Sequence, residues 1–376
     1  MQFTFTSEQE EFRTVLRRFL EQRSPTTEVR RLMETEQGWD RPAWSKLNQE
    51  MGLTAVPIPE EYGGQGFSTV ELGIVMEEMG RALLCAPYFA SAVLAATAIL
   101  NAGSEAQKRA LLPDIASGDC IATLAFTEDS GIWDASGVAM TATSKGGKFQ
   151  LDGVKSYVID GHSADLIVVL ARAPGSTGDS GLSFFTVRGN APGLERKLLK
   201  SMDPTRKLAR LSFKGVEAEL LGESGKAAAA FAKTLQLANI ALANEMVGGA
   251  ERLRQDALAY AKLRVQFGRP IASFQTMKHK HADMLCDVEL AKSAAYYAAA
   301  AAAEADPDLP ALASLAKASA AEAYLQTAIH AIQIHGGIGF TWDNDTHLWF
   351  KRAKSSEVLL GDPTYHRELM MQRWSA

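Results

Sequence analysis

Residues 137–159 read GVAMTATSKGGKFQLDGVKSYVI, and their period sets them apart from the chain on either side. Side chains along a strand point to alternate faces, whereas a helix repeats at three and four residues, so alternation of this kind marks a half-buried strand pair. The SKGG at 144–147 predicts a hairpin turn. The shorter runs IATLAF (121–126), DLIVVLAR (165–172) and LSFFTV (182–187) carry the same β-branched and aromatic character between glycine turns. Together they predict a small antiparallel β domain over residues 119–222.

Outward from it the period becomes helical. Thr6 with Gln9 predicts a capping box, and Phe12, Leu16, Phe19 and Leu20 follow on one helical face. Asp40 and Pro42 start another helix, and EEYGGQGFS (60–68) is a glycine-rich turn before further helices up to residue 118. On the other side, residues 226–266 run without proline, long for one globular helix. FGRPIASFQ (267–275) breaks the pattern, and helices are expected over 276–304 and 311–334, with a final one after HGGIGF (335–340). The expected organisation is an α+β multidomain chain: a helical N-terminal domain (1–118), a middle antiparallel β-barrel (119–222) and a C-terminal four-helix bundle (223–376).

The 376 residues are 47% apolar and 22% charged, enough to bury a large core. A net charge of -5 with no Lys/Arg run excludes a nucleic-acid footprint. No apolar run reaches membrane-spanning length, and the acidic opening is unlike a secretory signal, so a cytoplasmic protein off the membrane is expected. Cys85, Cys120 and Cys286 lie too far apart for a disulfide framework or a clustered metal site; buried thiols are expected, and no metal.

Glu245 stands in ALANEMVGGAERL (241–253), among small and apolar residues. It reads either as a structural carboxylate paired with Arg252 or Lys262, or as a base kept dry for chemistry. A desolvated carboxylate is a stronger base, which suits removal of a weakly acidic carbon proton. Gly248 and Gly249 beside it would leave room for a bulky ligand.

Three motifs occur in order along the helix, sheet, helix plan: AFTEDSG (125–131), RVQFGRPIASFQ (264–275) and QIHGGIGFT (333–341). In order and spacing they resemble the signatures of the acyl-CoA dehydrogenase family, and the resemblance covers essentially the whole chain. It implies FAD held between domains and subunits. It also implies removal of an α-proton by a glutamate with β-hydride transfer to flavin N5, giving a trans-2-enoyl-CoA, and electrons passed to an electron-transferring flavoprotein. Carried over onto this sequence, Arg264, Phe267, Gln275, Gln333, Gly336 and Gly337 contact the adenine dinucleotide, often across a subunit boundary. Phe126, Thr127 and Ser130 face the flavin pyrimidine and thioester side, with Tyr157 and Ile159 where the family commonly has tryptophan and threonine.

The base is where this sequence departs from that pattern. The usual glutamate position is Leu360, within Leu359, Leu360 and Gly361, and the alternative position used by branched-chain and long-chain members is Ala238. Glu245, seven residues after Ala238, lies about 10 Å along the same helical face and is the carboxylate left to serve as base. The other reading is a non-catalytic subunit that supports FAD binding in a heteromeric enzyme. It resembles bacterial members acting on steroid side-chain thioesters, which assemble as heterotetramers of related subunits rather than homo-oligomers.

Overall fold

The structure, a computed structural model, describes residues 4–145 and 148–374. Six α-helices come first: α1 (Ser7–Arg23), α2 (Thr26–Met33), α3 (Arg41–Met51), α4 (Thr69–Ala82), α5 (Ala96–Ala102) and α6 (Glu105–Ala116). The predicted capping box is present at α1, where the Thr6 hydroxyl accepts from the Gln9 amide at 3.2 Å and the Gln9 side chain accepts from the Thr6 amide at 2.9 Å. Asp40 caps α3 one-sidedly, its carboxylate accepting from the Ala43 amide at 3.0 Å.

Seven strands follow: β1 (Ala122–Ala125), β2 (Thr141–Lys145), β3 (Lys148–Ile159), β4 (Leu166–Arg172), β5 (Leu182–Arg188), β6 (Leu194–Leu198) and β7 (Leu208–Leu221). Of the SKGG turn expected between β2 and β3, Gly146 and Gly147 lie outside the described residues. The ring β4, β2, β3, β7, β5 and back to β4 closes a five-stranded barrel. Its longer pairings are antiparallel; β2 meets β4 at one parallel position, and β1 adds to β4 in parallel. β4 is buried along its whole length, as its continuous apolar run requires. β6 carries Glu195, Arg196 and Lys197 on an exposed edge, where charge discourages further strand pairing.

The remaining elements are α7 (Ala227–Leu263), a short hairpin of β8 (Val265–Gln266) and β9 (Arg269–Pro270), α8 (Gln275–Ala303), α9 (Leu309–His335), α10 (Thr346–Val358) and α11 (Pro363–Trp374). α9 is largely apolar and buried over most of its surface, with Glu322, Gln326 and Gln333 left exposed. One final helix was expected after HGGIGF, and there are two. Leu360 at φ 62 and Gly361 at φ 108 break the chain ahead of Pro363, which opens α11.

The chain packs as two units, Met1–Arg30 with Thr69–Leu84 and Asn239–Ala376, and Arg31–Ser68 with Cys85–Ala238. In the first, α4 and α7 touch backbone to backbone. A methyl group on Gly80 would lie 1.9 Å from the Glu245 carbonyl, and one on Gly248 would lie 1.8 Å from the Glu77 carbonyl. In the second, Phe231 of α7 packs against Phe126 and Phe184, with ring centroids 5.2 and 6.3 Å away. Of the three cysteines only Cys85 is buried; Cys120 is half-buried and Cys286 exposed, against the expectation of buried thiols. Among the described residues no helix is long and apolar enough to cross a membrane.

Candidate active site

In the barrel unit, β1 runs into the segment Phe126–Ser130, which is tied to β3. The Ser156 amide donates to the Thr127 carbonyl at 2.8 Å, and the Ser156 hydroxyl donates to Asp129. The β3–β7 register shifts between Lys155 and Val158, and Tyr157 there has φ 59 and is 41% exposed. A bulge of this kind turns a side chain away from the face it would otherwise occupy, and such features cluster at functional sites. The structure thus brings Thr127, Ser130 and Tyr157 onto adjoining segments. Ser130 is exposed, Thr127 is buried, and the Phe126 ring turns inward against Trp133 and Phe231. Ile159 is also buried, paired across the sheet with Leu208.

The helical unit holds the other motifs. Phe267, at φ 54, sits at the tip of the β8–β9 hairpin and is 93% exposed. Arg264 joins this hairpin to α7: its amide donates to the Tyr260 carbonyl and its carbonyl accepts from Ile271, both at 2.8 Å. Gln275 is the first residue of α8. Tyr260, one turn before Arg264, stacks on His335 with ring centroids 4.4 Å apart, which brings the end of α7 beside the Gln333–Gly337 turn. Gln333 accepts from Lys280 at 3.1 Å.

Gly336 has φ 69, and a methyl group built on Gly336 or Gly337 would meet nothing within 4 Å. Packing inside this chain therefore does not account for these glycines, nor for a large aromatic ring left in water at Phe267. A surface with an arginine, amide side chains and small residues that its own chain leaves uncovered fits a dinucleotide lying against it.

Glu245 is 5% exposed and accepts from the Arg352 guanidinium of α10 at 2.6 Å. The partners considered from sequence were Arg252 and Lys262, but Arg252 is bound to Asp256 at 2.6 Å. Arg352 was missed, although its spacing from Leu348, Trp349, Ala353 and Ser356 puts it on the buried stripe of α10 and could have shown it. The room expected beside Glu245 is absent. Gly248 abuts the Glu77 backbone, and a methyl on Gly249 would lie 2.5 Å from the Tyr324 ring.

Ala238 and Leu360 are both buried. The turn that carries Leu360 is held by two further side chains that sequence reading passed over. Lys317 donates to the carbonyls of Glu357 at 3.1 Å and Gly361 at 2.8 Å. His366 Nε2 lies 2.9 Å from the Leu360 carbonyl, and burial pushes the imidazole down to about 3, so the ring is neutral and donates from Nε2.

Sequence profiles described as acyl-CoA dehydrogenase N-terminal, middle and C-terminal domains match residues 6–119, 123–216 and 226–374 in turn. The chain belongs to the acyl-CoA dehydrogenase family. Acyl-CoA dehydrogenase IpdE2 of Mycobacterium tuberculosis is 33% identical over 335 residues, 89% of this chain and 87% of that one. The structure of butyryl-CoA dehydrogenase from Megasphaera elsdenii matches with a TM-score of 0.93 at 28% identity, covering 100% of both chains. A chain of the ChsE4-ChsE5 complex from Mycobacterium tuberculosis matches with a TM-score of 0.90 at 28% identity, covering 100% of this chain and 99% of that one. The protein is an oxidoreductase, and its family and fold carry FAD-dependent acyl-CoA dehydrogenase chemistry in general.

Proposed function

We propose that this chain takes part in the FAD-dependent α,β-dehydrogenation of an acyl-CoA thioester to the trans-2-enoyl-CoA in the cytoplasm, with electrons passed to an electron-transferring flavoprotein. The observation that carries the reading is the tied pair of segments, Phe126–Ser130 and the Tyr157 bulge, which brings the exposed Ser130 and the outward Tyr157 ring onto adjoining stretches of chain. FAD supplies the acceptor for the β-hydride. Thr127 and Ser130 present groups to the flavin and thioester side, and Tyr157 packs on the ring system; Ile159, buried, contributes shape rather than a hydrogen bond. Arg264, Phe267, Gln275, Gln333, Gly336 and Gly337 hold the dinucleotide of a second subunit, which accounts for their exposure here.

The proton acceptor divides two readings. With Leu360 and Ala238 unable to take a proton, Glu245 would have to do so. It would first have to leave Arg352, and breaking a buried ion pair costs about 3–5 kcal/mol, or roughly 10²–10³·⁵ in rate. That pair favours the second reading: Glu245 fastens α7 to α10, and a related partner chain supplies the base within a mixed oligomer. The likeness to a chain of the two-component ChsE4-ChsE5 complex supports it.

The test is to purify the chain alone and co-expressed with related chains encoded near it, then follow flavin absorbance during titration with acyl-CoA thioesters. A yellow but unreactive chain that bleaches only in a mixed oligomer supports the second reading. Bleaching by the chain alone, abolished in Glu245→Gln with colour retained, makes Glu245 the base.

A further inference from the structure

The segment from Phe126 to Met140 has few pairings of its own, yet two buried cations anchor it. Lys155 of β3 is fully buried. Its ammonium donates to the Phe126 carbonyl at 3.1 Å and to Glu128 at 2.8 Å. The same Glu128 oxygen accepts the amides of Ala139 at 3.0 Å and Met140 at 2.9 Å, so one carboxylate joins both ends of the segment to the ammonium. Arg172 of β4 grips the middle, donating to the carbonyls of Ala135 at 2.8 Å and Val138.

A fully buried ammonium is costly in a barrel core, and this one sits where the β3–β7 pairing breaks: Lys155 pairs with Leu211, and the register shifts between it and Val158. Burial pulls Lys155 down to about 8, Glu128 acts against that, and Arg172 adds to it. The arrangement is thus held against its own electrostatics, with Glu128 offsetting the nearer cation. Lys155 is followed directly by Ser156, which holds Thr127 and Asp129, and by the outward Tyr157.

We infer that Lys155 is a positioning residue for the flavin site: through Phe126 and Glu128 its ammonium fixes the 126–140 segment against the β3 bulge, and so sets where Thr127, Ser130 and Tyr157 present their groups. This rests on the proposed FAD role of those residues.

The experiment compares Lys155→Met, which keeps the length and removes the donors, with the double variant Lys155→Met/Glu128→Gln, which also removes the unpaired carboxylate. Each is stripped of flavin and titrated with FAD. The dissociation constant is expected to rise about tenfold or more in both, as loss of charge-assisted bonds predicts, with the visible band moving toward that of free FAD. The stripped double variant is expected to keep the unfolding midpoint of the stripped wild type within a few degrees, since the ammonium and the carboxylate paired with it are removed together.

Hydrogen exchange on the stripped wild-type protein is the second measurement, and it needs no variant. The Ala139 and Met140 amides are expected to be protected without FAD, because Glu128 and Lys155 hold them in advance. Wild-type affinity and band shape in the folded variants would overturn the inference, as would unprotected Ala139 and Met140 amides in the folded stripped protein. If neither variant folds, the exchange result decides alone. A wild-type chain that never takes up FAD sinks the cofactor assignment instead, and the exchange pattern still reports on the clamp.

Discussion

Arg352→Met is the substitution whose outcome bears most directly on Glu245. The Glu245–Arg352 pair is 2.6 Å long with side chains 7% and 5% exposed, so solvent screens it little. Two unit charges about 4 Å apart at an effective dielectric of about 20 attract by roughly 4 kcal/mol. Removing one partner of a buried pair costs about 3–5 kcal/mol, because the other charge stays desolvated. Arg352→Met takes this guanidinium away from the buried carboxylate and is expected to lose about that amount, a fall in melting temperature of roughly 5 °C for a chain of this length. Glu245→Gln keeps a hydrogen-bond acceptor and is expected to lose about 1–3 kcal/mol. The double variant should be less destabilised than the sum of the two by about 2 kcal/mol or more. Denaturant unfolding of the flavin-stripped chain, followed by tryptophan fluorescence, reports on the site through Trp349, buried one turn before Arg352. If both single variants stay within 1 kcal/mol of wild type and their effects simply add, the pair does not fasten α7 to α10, and the case for Glu245 as a free base revives.

Other expectations follow from the same structure. Gly248→Ala should destabilise the chain although alanine is the better helix former, since its methyl would lie 1.8 Å from the Glu77 carbonyl; Gly337→Ala, which meets nothing, should leave the stripped chain's melting temperature unchanged and weaken FAD binding. His366 is held neutral, its ordinary value of 6.5 pushed down to about 3 by burial. The unfolded chain therefore binds the extra proton between those values, and stability should rise with pH across that window at up to about 1.4 kcal/mol per pH unit. His366→Gln, which keeps a donor for the Leu360 carbonyl, should flatten that slope in pH-dependent unfolding. Phe267→Ser removes a ring that is 93% exposed, so the stripped chain should melt unchanged while light scattering shows a smaller assembly.

Periodicity carried most of the fold. Alternation located the barrel strands, and the capping box at Thr6 and the proline-free run into α7 were both legible because each is a local signal. The break between α10 and α11 was not. Residues 346–358 and 363–374 can both propagate a helix, and the interruption comes from Leu360 in a left-handed conformation whose neighbouring carbonyls are taken by Lys317 and His366. Those two side chains arrive from α9 and α11, 43 residues before Leu360 and six after it, so a window along the chain does not see them together.

The residues proposed for the flavin side show the same division. A motif gives the order of residues, and the order of Phe126, Thr127, Ser130 and Tyr157 was readable. What fixes their presentation is a lysine three residues before Val158 and a glutamate before β2, neither of which any local pattern marks as buried. Glu245 is the sharpest case. From sequence, a carboxylate among apolar residues invites a catalytic reading beside a structural one paired with Arg252 or Lys262. In the folded chain Arg352, 107 residues away, hydrogen-bonds to it. A buried charge should be read as chemistry only after the fold has been searched for its counter-ion, since unpaired burial costs more than most folds can spare. Here that search finds the Arg352 guanidinium, which supports the proposed reading of Glu245 as a structural carboxylate.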